Sequence, residues 1–432
     1  MMSLKDLIPT ETIIPLEMVS LRYGPGATEE LGFELQRIGI KRALIVTDSN
    51  LRELGLPEKI RAIAKGADIE VEIFDRVHIE PTDRSIQEAV KAAKESGCDG
   101  FISVGGGSVI DTAKLMNLYS TYPAPLFDYI NKPIGLGKPV PGPLKPHIAI
   151  PTTSGTGSET TPVAILDIVE LKVKTGVSHR YLRPTLAIVD PLNTLTQPPE
   201  VTASAGCDVL THAIESYTSR PYNTRIKPSS PAERPAYIGS NPIADLWSKQ
   251  AIIWCAKYLR RAVFNPHDLE ARAFMSLAST FAGIGFGTAG VHIPHAMSYP
   301  VAGMVKDFHP RGYNVKEPLI PHGISVVVNA PACFRFTAPA WPERHAKAAE
   351  ILGVNTKGMS EMEAAYSLAD AIVELMQDLG IPNGISALGY TEEDIPKLAE
   401  GAFKQQRLLV NSPRPVTLSD LEKLFRDALR YW

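Results

Sequence analysis

Cysteine is scarce in this chain. Four residues, Cys98, Cys207, Cys255 and Cys333, are scattered over 432 positions. They form no CxxC pair, which excludes a thiolate zinc knuckle, a dithiol redox motif and a disulfide framework. A reducing, cytoplasmic setting is the expectation. Long apolar runs are also missing. No stretch reaches 18 residues, and MMSLKDLIPTE lacks the apolar core of a signal peptide, so no membrane is expected as partner. Charge of one sign is lacking too: 44 Lys+Arg stand against 47 Asp+Glu, a net of -3. That balance gives no reason to expect nucleic acid or an anionic surface. No internal repeat or low-complexity tract is apparent.

What the chain has is length and two distinct patterns. At 432 residues it exceeds one small core, so two domains are expected. The first half alternates short apolar strands (MVSLRYG, RALIVTD, VEIFD, GFISVGGG) with amphipathic helices (ATEELGFELQRIG, DRSIQEAVKAAKESG, SVIDTAKLMNLY). Such alternation predicts a parallel sheet with helices on both faces. The Pro-rich stretch 121–146 reads as irregular surface chain. HIAIPTT, VAILD, LKVKTGV and TLAIVDP are further strands, the middle two an antiparallel hairpin around VELK. Beyond about residue 195, helical periodicity takes over, at 202–218, 242–264, 268–287, 342–353, 359–379, 391–406 and 417–432. The last opens on a Thr417-x-x-Asp420 capping box. The expected architecture is an α/β domain over 1–196 and an all-α domain over 197–432, with Pro198 and Pro199 at the boundary. A cleft between them is the natural ligand site.

Asp208 and His212 stand four apart in GCDVLTHAIESY, so one helix face presents a carboxylate and an imidazole together. His295 in GVHIPHAMSYP and His322 in LIPHGISVVV complete a set of three imidazoles and one carboxylate, suited to Fe(II) or Zn(II) rather than Ca or Mg. With a position left open, such an ion acts as a Lewis acid on a substrate oxygen. His292, three residues before His295, reads as a neighbour of the set or a surface residue rather than a fifth ligand.

Three segments suit a nucleotide. In GGGSVIDTAK, Gly105, Gly106 and Gly107 join a strand to a helix and allow a pyrophosphate close to the backbone. The spacing is not GxGxxG, and Ser108-x-x-Asp111 equally reads as a capping box. HIAIPTTSGTGSE gathers Thr152, Thr153, Ser154, Thr156 and Ser158 near one turn, where Thr156-x-x-Glu159 equally reads as a cap. Asp48, ending ALIVTD, can accept both adenosine ribose hydroxyls and repel a 2′-phosphate, favouring NAD over NADP. It can equally cap SNLRELG.

Taken in order, RYGPGATEEL, VTDSNL, GGGSVIDTAK, IPTTSGTGSE, GCDVLTHAIESY, FGTAGVHIPHAMSYP and PHGISVV resemble the iron-containing (group III) alcohol dehydrogenase family over nearly the whole chain. Within it, LKPHIAIPTTSGTGSETTPVAI, the insertion RPYNTRIKPSSPAERPAYIGSNPIADLW and LRRAVFNPHDLEARAFMSLASTFAGIGFG most resemble the hydroxyacid–oxoacid transhydrogenase branch. The resemblance implies an α/β N-terminal dinucleotide-binding domain and an all-α C-terminal metal-binding domain, with one divalent metal on Asp208, His212, His295 and His322. It also implies NAD held by Asp48, Gly106, Gly107, Ser108, Asp111, Thr152, Thr153 and Thr156, with Lys174 approaching the cofactor. The substrate would be a small alcohol, aldehyde or hydroxyacid such as 4-hydroxybutyrate. One departure stands out. Many members carry a second histidine four residues after the third ligand, where this chain has Tyr299, a poorer proton shuttle at neutral pH. The insertion at 220–241 is basic, and Arg225 or Arg234 is expected either to meet a substrate carboxylate or to lie in a solvated loop or subunit contact. A homodimer is the default assembly. The favoured reading is a metal- and NAD-dependent alcohol or hydroxyacid dehydrogenase; a transhydrogenase that retains its NAD, a lyase of the dehydroquinate-synthase type and a non-catalytic metal-binding protein are the competing readings.

Overall fold

The computed structural model describes residues 10–171 and 173–432. MMSLKDLIP and Lys172 therefore lie outside the described residues. Strands β1 (Ser20–Tyr23), β2 (Arg42–Val46), β3 (Glu70–Phe74), β4 (Gly100–Gly105), β5 (His147–Pro151) and β8 (Leu186–Val189) form one sheet in the order β1-β8-β5-β4-β2-β3. Every pairing in it is parallel. β6 (Val163–Ile168) and β7 (Val173–Ser178) form the antiparallel hairpin anticipated around VELK.

Alternation along β2 shows why both faces need cover. Ala43 and Ile45 point one way and pack with Leu31, Leu35, Ile60 and Ala64, from the helices Leu31–Ile38 and Leu56–Gly66. Leu44 and Val46 point the other way, onto Ala89, Ala93, Val109 and Ala113, from the helices Asp83–Ser96 and Gly107–Thr121. A period of two turned into two apolar layers is what a doubly covered parallel sheet requires. Full burial of each Leu or Ile there contributes about 1.5–3 kcal/mol.

After β8 all regular structure is helical. Pro198 and Pro199 begin the next helix, Pro199–Thr218, because proline fits a first turn that has no amide partner to lose. This helix is buried on all sides from Thr202 onward except at Ala205. It packs against Pro242–Phe264, Leu269–Ala289 and His322–Val327. One glycine sets the last contact. A Cβ at Gly323 would lie 2.0 Å from the Ser204 carbonyl oxygen, so only glycine lets the helix carrying His322 come this close. The predicted Thr417–Asp420 capping box is present at the start of Leu418–Asp427.

Candidate metal and nucleotide site

Helix geometry places the first two metal candidates. Asp208 and His212 sit one turn apart on Pro199–Thr218 and face the same point. His295 comes from Ile293–Gly303 and His322 opens His322–Val327. Asp208 Oδ1 is 3.5 Å from His212 Nδ1, 3.5 Å from His295 Nε2 and 3.8 Å from His322 Nε2. One ligand atom from each residue lies within 4.8 Å of the others. Asp208 Oδ1, His212 Nδ1 and His295 Nε2 are buried and lack a hydrogen-bond partner. Buried polar atoms are normally paired, because leaving one unpaired costs on the order of 1–3 kcal/mol. Three orphaned atoms converging on one point, offered by imidazoles and a carboxylate, fit a divalent transition metal.

The surrounding residues hold the rings. His212 stacks on Phe286, with centroids 4.1 Å apart. His295 Nδ1 hydrogen-bonds the buried Glu215 carboxylate, which turns Nε2 toward Asp208. A carboxylate behind a ligating histidine fixes its tautomer and raises its basicity. Glu215 also accepts the His292 and His295 backbone amides at 2.8 and 3.3 Å. His292 is buried rather than on the surface, and its Nε2 meets Thr218 Oγ1 at 3.3 Å. It supports the cluster without joining it.

Burial and charge oppose each other here. Burial works to raise the Asp208 carboxyl, but His212, His322 and His295 together hold it below the ordinary carboxylate range. Burial brings His212 down to about 3 despite Asp208. His295 goes the other way: burial is outweighed by Glu215 and Asp208, which lift it to about 9.

The nucleotide candidates lie where parallel strands end. Asp48 follows β2, Gly106–Ser108 follow β4 and Thr152–Thr156 follow β5, three neighbouring strands at their carboxyl edge. Asp48, Gly106, Gly107, Ser108, Thr152, Thr153 and Thr156 line one cleft of about 630 Å³, together with Asp208 and His322. The helix Gly107–Thr121 has no side-chain cap, leaving its first amides for an anion. A Cβ at Gly107 would come within 2.5 Å of Thr156 Cγ2, so the two loops interlock through bare backbone. These features fit a pyrophosphate-bearing cofactor.

Several expectations are corrected. Ser108 and Asp111 form no capping box. Asp111 instead accepts Ser158 Oγ and the Ile165 amide (2.9 Å), tying the first loop to the second and to β6. It faces a smaller inner cavity rather than the cleft. Thr156 and Glu159 form no helix cap either. Thr156 Oγ1 accepts the Ser158 amide, and Glu159 accepts Thr280 Oγ1 across the domain contact. Asp48 takes the capping role: its carboxylate caps Ser49–Glu53 through the Leu51 amide at 3.0 Å, and the residue also lines the cleft. Lys174 is buried one layer behind, held by Glu80 at 2.7 Å and Asp167 at 2.9 Å, and lines neither cavity. The basic insertion does not bring a free guanidinium to the metal candidates. Arg234 pairs with buried Glu11 at 2.8 Å, and Arg225 is bound to Asn411.

Tyr299 does reach the site. It lines an inner cavity of about 100 Å³ with His212, His295 and His322. Its hydroxyl accepts from Arg407 at 2.8 Å.

Sequence reading missed four contributors. Glu215 had a visible signal, standing three residues after His212 on the same helix face. Glu80, whose positive φ of 56° turns the chain into both cavities, had none. Tyr237, in the wall of the inner cavity, and Arg407, which donates to Tyr299, are brought there only by the folded chain.

Comparison with known proteins agrees with this geometry. Residues 19–191 match the family model described as iron-containing alcohol dehydrogenase, and 233–429 match that of the Fe-containing alcohol dehydrogenase family, C-terminal. The chain is 49% identical over 425 residues to "hydroxyacid-oxoacid transhydrogenase, mitochondrial" of Bos taurus, covering 98% of this chain and 91% of that protein. With its Homo sapiens counterpart it shares 47% over 426 residues, with the same coverages. Among solved structures, a 1,3-propanediol oxidoreductase superposes with a TM-score of 0.85 at 32% identity, covering 96% of this chain and 100% of that one. Sulfoacetaldehyde reductase from Bifidobacterium kashiwanohense, in complex with NAD+, gives 0.79 at 28%, covering 97% and 99%. The mitochondrial names overturn the cytoplasmic expectation, since scattered free thiols report a reducing milieu and do not distinguish one such compartment from another. The chain belongs to the iron-containing alcohol dehydrogenase family, oxidoreductases that move a hydride between an alcohol or hydroxyacid and a nicotinamide cofactor with the help of a metal.

Proposed function

We propose that this chain is a hydroxyacid–oxoacid transhydrogenase. It takes a hydride from a hydroxyacid such as 4-hydroxybutyrate onto NAD and passes it to an oxoacid without exchanging the nucleotide. The observation that carries this reading is the shared lining of one cleft: Asp208 and His322 stand in the same wall as the glycine and threonine loops. When bound, a divalent metal (Fe(II) by family, with Zn(II) accepting the same ligands) supplies Lewis acidity to a substrate oxygen, and the nicotinamide supplies hydride acceptance.

The chain's own residues do the rest. Asp208, His212, His295 and His322 would hold the ion, and Glu215 fixes the ring of His295. Gly106 and Gly107 admit a pyrophosphate, with Ser108, Thr152, Thr153 and Thr156 around it. Asp48 selects NAD through the ribose hydroxyls. Asp111 and buried Lys114 lock the two loops together through Ser158, with Lys114 Nζ 2.7 Å from its Oγ. Tyr299 shapes the inner cavity where the reacting carbon would lie. Retention of the nucleotide is supported by the stretch before His322. Gly312, Tyr313 and Asn314 cover the cleft, and Asn314 Nδ2 donates to Asn50 Oδ1 across it at 2.9 Å.

A paired assay on metal-reconstituted protein tests the reading. One arm adds NAD to 4-hydroxybutyrate and follows NADH. The other adds 2-oxoglutarate without NAD and follows succinate semialdehyde. Turnover in the second arm is expected. Turnover in the first alone would make the protein an ordinary dehydrogenase, and activity on simple alcohols alone would remove the hydroxyacid.

A further inference from the structure

The cleft and the inner cavity share five lining residues: Glu80, Gly107, Ser108, Thr156 and His322. Glu80 is the one carboxylate among them. The chain delivers it on the segment that leaves β3 and crosses the carboxyl edge of the sheet. On one side Val77 donates to the Thr47 carbonyl at 3.3 Å, and on the other Pro81 accepts the Asp167 amide at 2.7 Å. Between these ties the Glu80 amide donates to Ser108 Oγ at 3.0 Å, on the glycine loop itself.

Two features set Glu80 apart. Its φ is 56°, and among the described residues Asp68 is the only other non-glycine residue with a positive φ. Aspartate tolerates that region through its short polar side chain, whereas glutamate gains nothing from it. A disfavoured conformation kept in the wall of a site points to the site. The carboxylate is also only half engaged. Oε2 accepts from Lys174 Nζ at 2.7 Å, which keeps the group ionised, while Oε1 accepts from no described residue. Lys174 is 1% exposed and the Glu80 side chain 20%, open toward the two cavities it lines. Lys174 meets Asp167 as well, at 2.9 Å, so one ammonium faces two carboxylates and does not cancel the charge of Glu80.

With the adenosine at Asp48 and the pyrophosphate at 106–108, the nicotinamide end reaches the junction of the cavities, because the hydride comes from a carbon beside the three histidines. The ring is a cation when oxidised and neutral when reduced. A fixed negative charge beside it favours one redox form over the other.

We propose that Glu80, held by Lys174, biases the bound nicotinamide toward its oxidised form. The lysine expected at the cofactor thus acts on it through Glu80. The reduced nucleotide becomes the readier hydride donor to an oxoacid. This rests on the nucleotide reading of the cleft and deepens it.

The test titrates metal-loaded protein with NADH by its fluorescence and displaces it with NAD+ or with ADP-ribose, which ends where the nicotinamide would begin. In Glu80→Gln the ratio of NAD+ to NADH affinity is expected to fall about tenfold, the order of one unit charge acting on another near a protein surface. That fall equals a rise of about 30 mV in the potential of the bound two-electron couple. ADP-ribose should bind within about twofold of its wild-type affinity, the spread expected of a substitution that leaves the glycine loop intact. The metal acts alike on variant and wild type, so the comparison isolates Glu80. Glu80→Gly removes the same charge and relieves the backbone, so it should show the same fall if the glutamine variant fails to fold. A ratio that stays within about twofold of wild type in both variants would overturn the bias alone, since a lost unit charge should exceed that. ADP-ribose weakening in step with NAD+ would overturn it too, leaving Glu80 a prop for the glycine loop. Wild-type protein that binds none of the three would overturn the nucleotide reading and the bias with it.

Discussion

The two walls of the cleft solve the same problem, holding a polar ligand, with opposite materials. The sheet wall uses backbone: glycines, an uncapped helix start and threonine hydroxyls, with little buried charge facing the cleft. The helical wall uses side chains: a carboxylate and two imidazoles buried together with a third, half-buried one, braced by Glu215. Backbone tolerates little added bulk but has no protonation state to lose. Side chains tolerate bulk changes nearby but fail when one charge goes missing. The comparison teaches where each wall is fragile, and it can be broken by substitution.

The largest effect belongs to the ligand wall. Asp208→Asn or His212→Ala should lower activity by about a thousandfold, with bound metal falling in parallel by elemental analysis. Full metal occupancy in either variant would remove that residue from the ligand set. Next comes the brace. Glu215→Gln should weaken the metal by about 10- to 100-fold in a chelator competition, and unaltered competition would make Glu215 merely structural. On the sheet wall, Gly107→Ala drives a methyl into Thr156 and should weaken NAD binding by about tenfold or more, read by fluorescence titration. Smaller again, Asp48→Ser should shift the NAD/NADP preference by about tenfold, and an unmoved preference would leave Asp48 with only its capping role.

The smallest prediction treats the domains alike. His147, in the sheet, is hydrogen-bonded to Ser103 at 2.8 Å and His345, in the helical domain, to Thr337 at 2.8 Å. Burial pulls His147 down to about 3 and His345 to about 4 from an ordinary 6.5. The folded chain therefore binds fewer protons there than the unfolded chain. The stability from keeping these rings neutral is complete above about pH 6.5 and is lost as the pH falls toward those values. His147→Gln and His345→Gln should each lower the acid-unfolding midpoint by about a few tenths of a pH unit, followed by circular dichroism. A midpoint that rises or stays fixed would show that the lost hydrogen bonds matter more than the protons.

Legibility in the sequence followed physical range. Asp208 and His212 were readable because a helix repeats every 3.6 residues, and strands β2, β4 and β5 because apolar runs bounded by Gly, Asp or Pro admit few alternatives. Ser108-x-x-Asp111 and Thr156-x-x-Glu159 each admitted a cap beside the nucleotide-loop reading. Local spacing suggests a cap, yet each carboxylate found a stronger partner across the fold, in Ser158 and Thr280. Lys174 was placed on the cofactor by motif, and two acids hold it one layer away. Arg225 and Arg234 looked free because their partners, Asn411 and Glu11, are about two hundred positions distant. Tyr237 and Arg407 carried no local signal at all.

The size of the inner cavity, about 100 Å³, has a kinetic consequence. A space of that volume admits one small acid at a time. With the nucleotide retained as proposed, donor and acceptor would take turns, and the reduced nucleotide would be the only memory of the first visit. Double-reciprocal plots for the two substrates should be parallel, and each acid in excess should trap the nucleotide form meant for the other. Converging lines would mean that both acids are bound together, in a space larger than the one seen here.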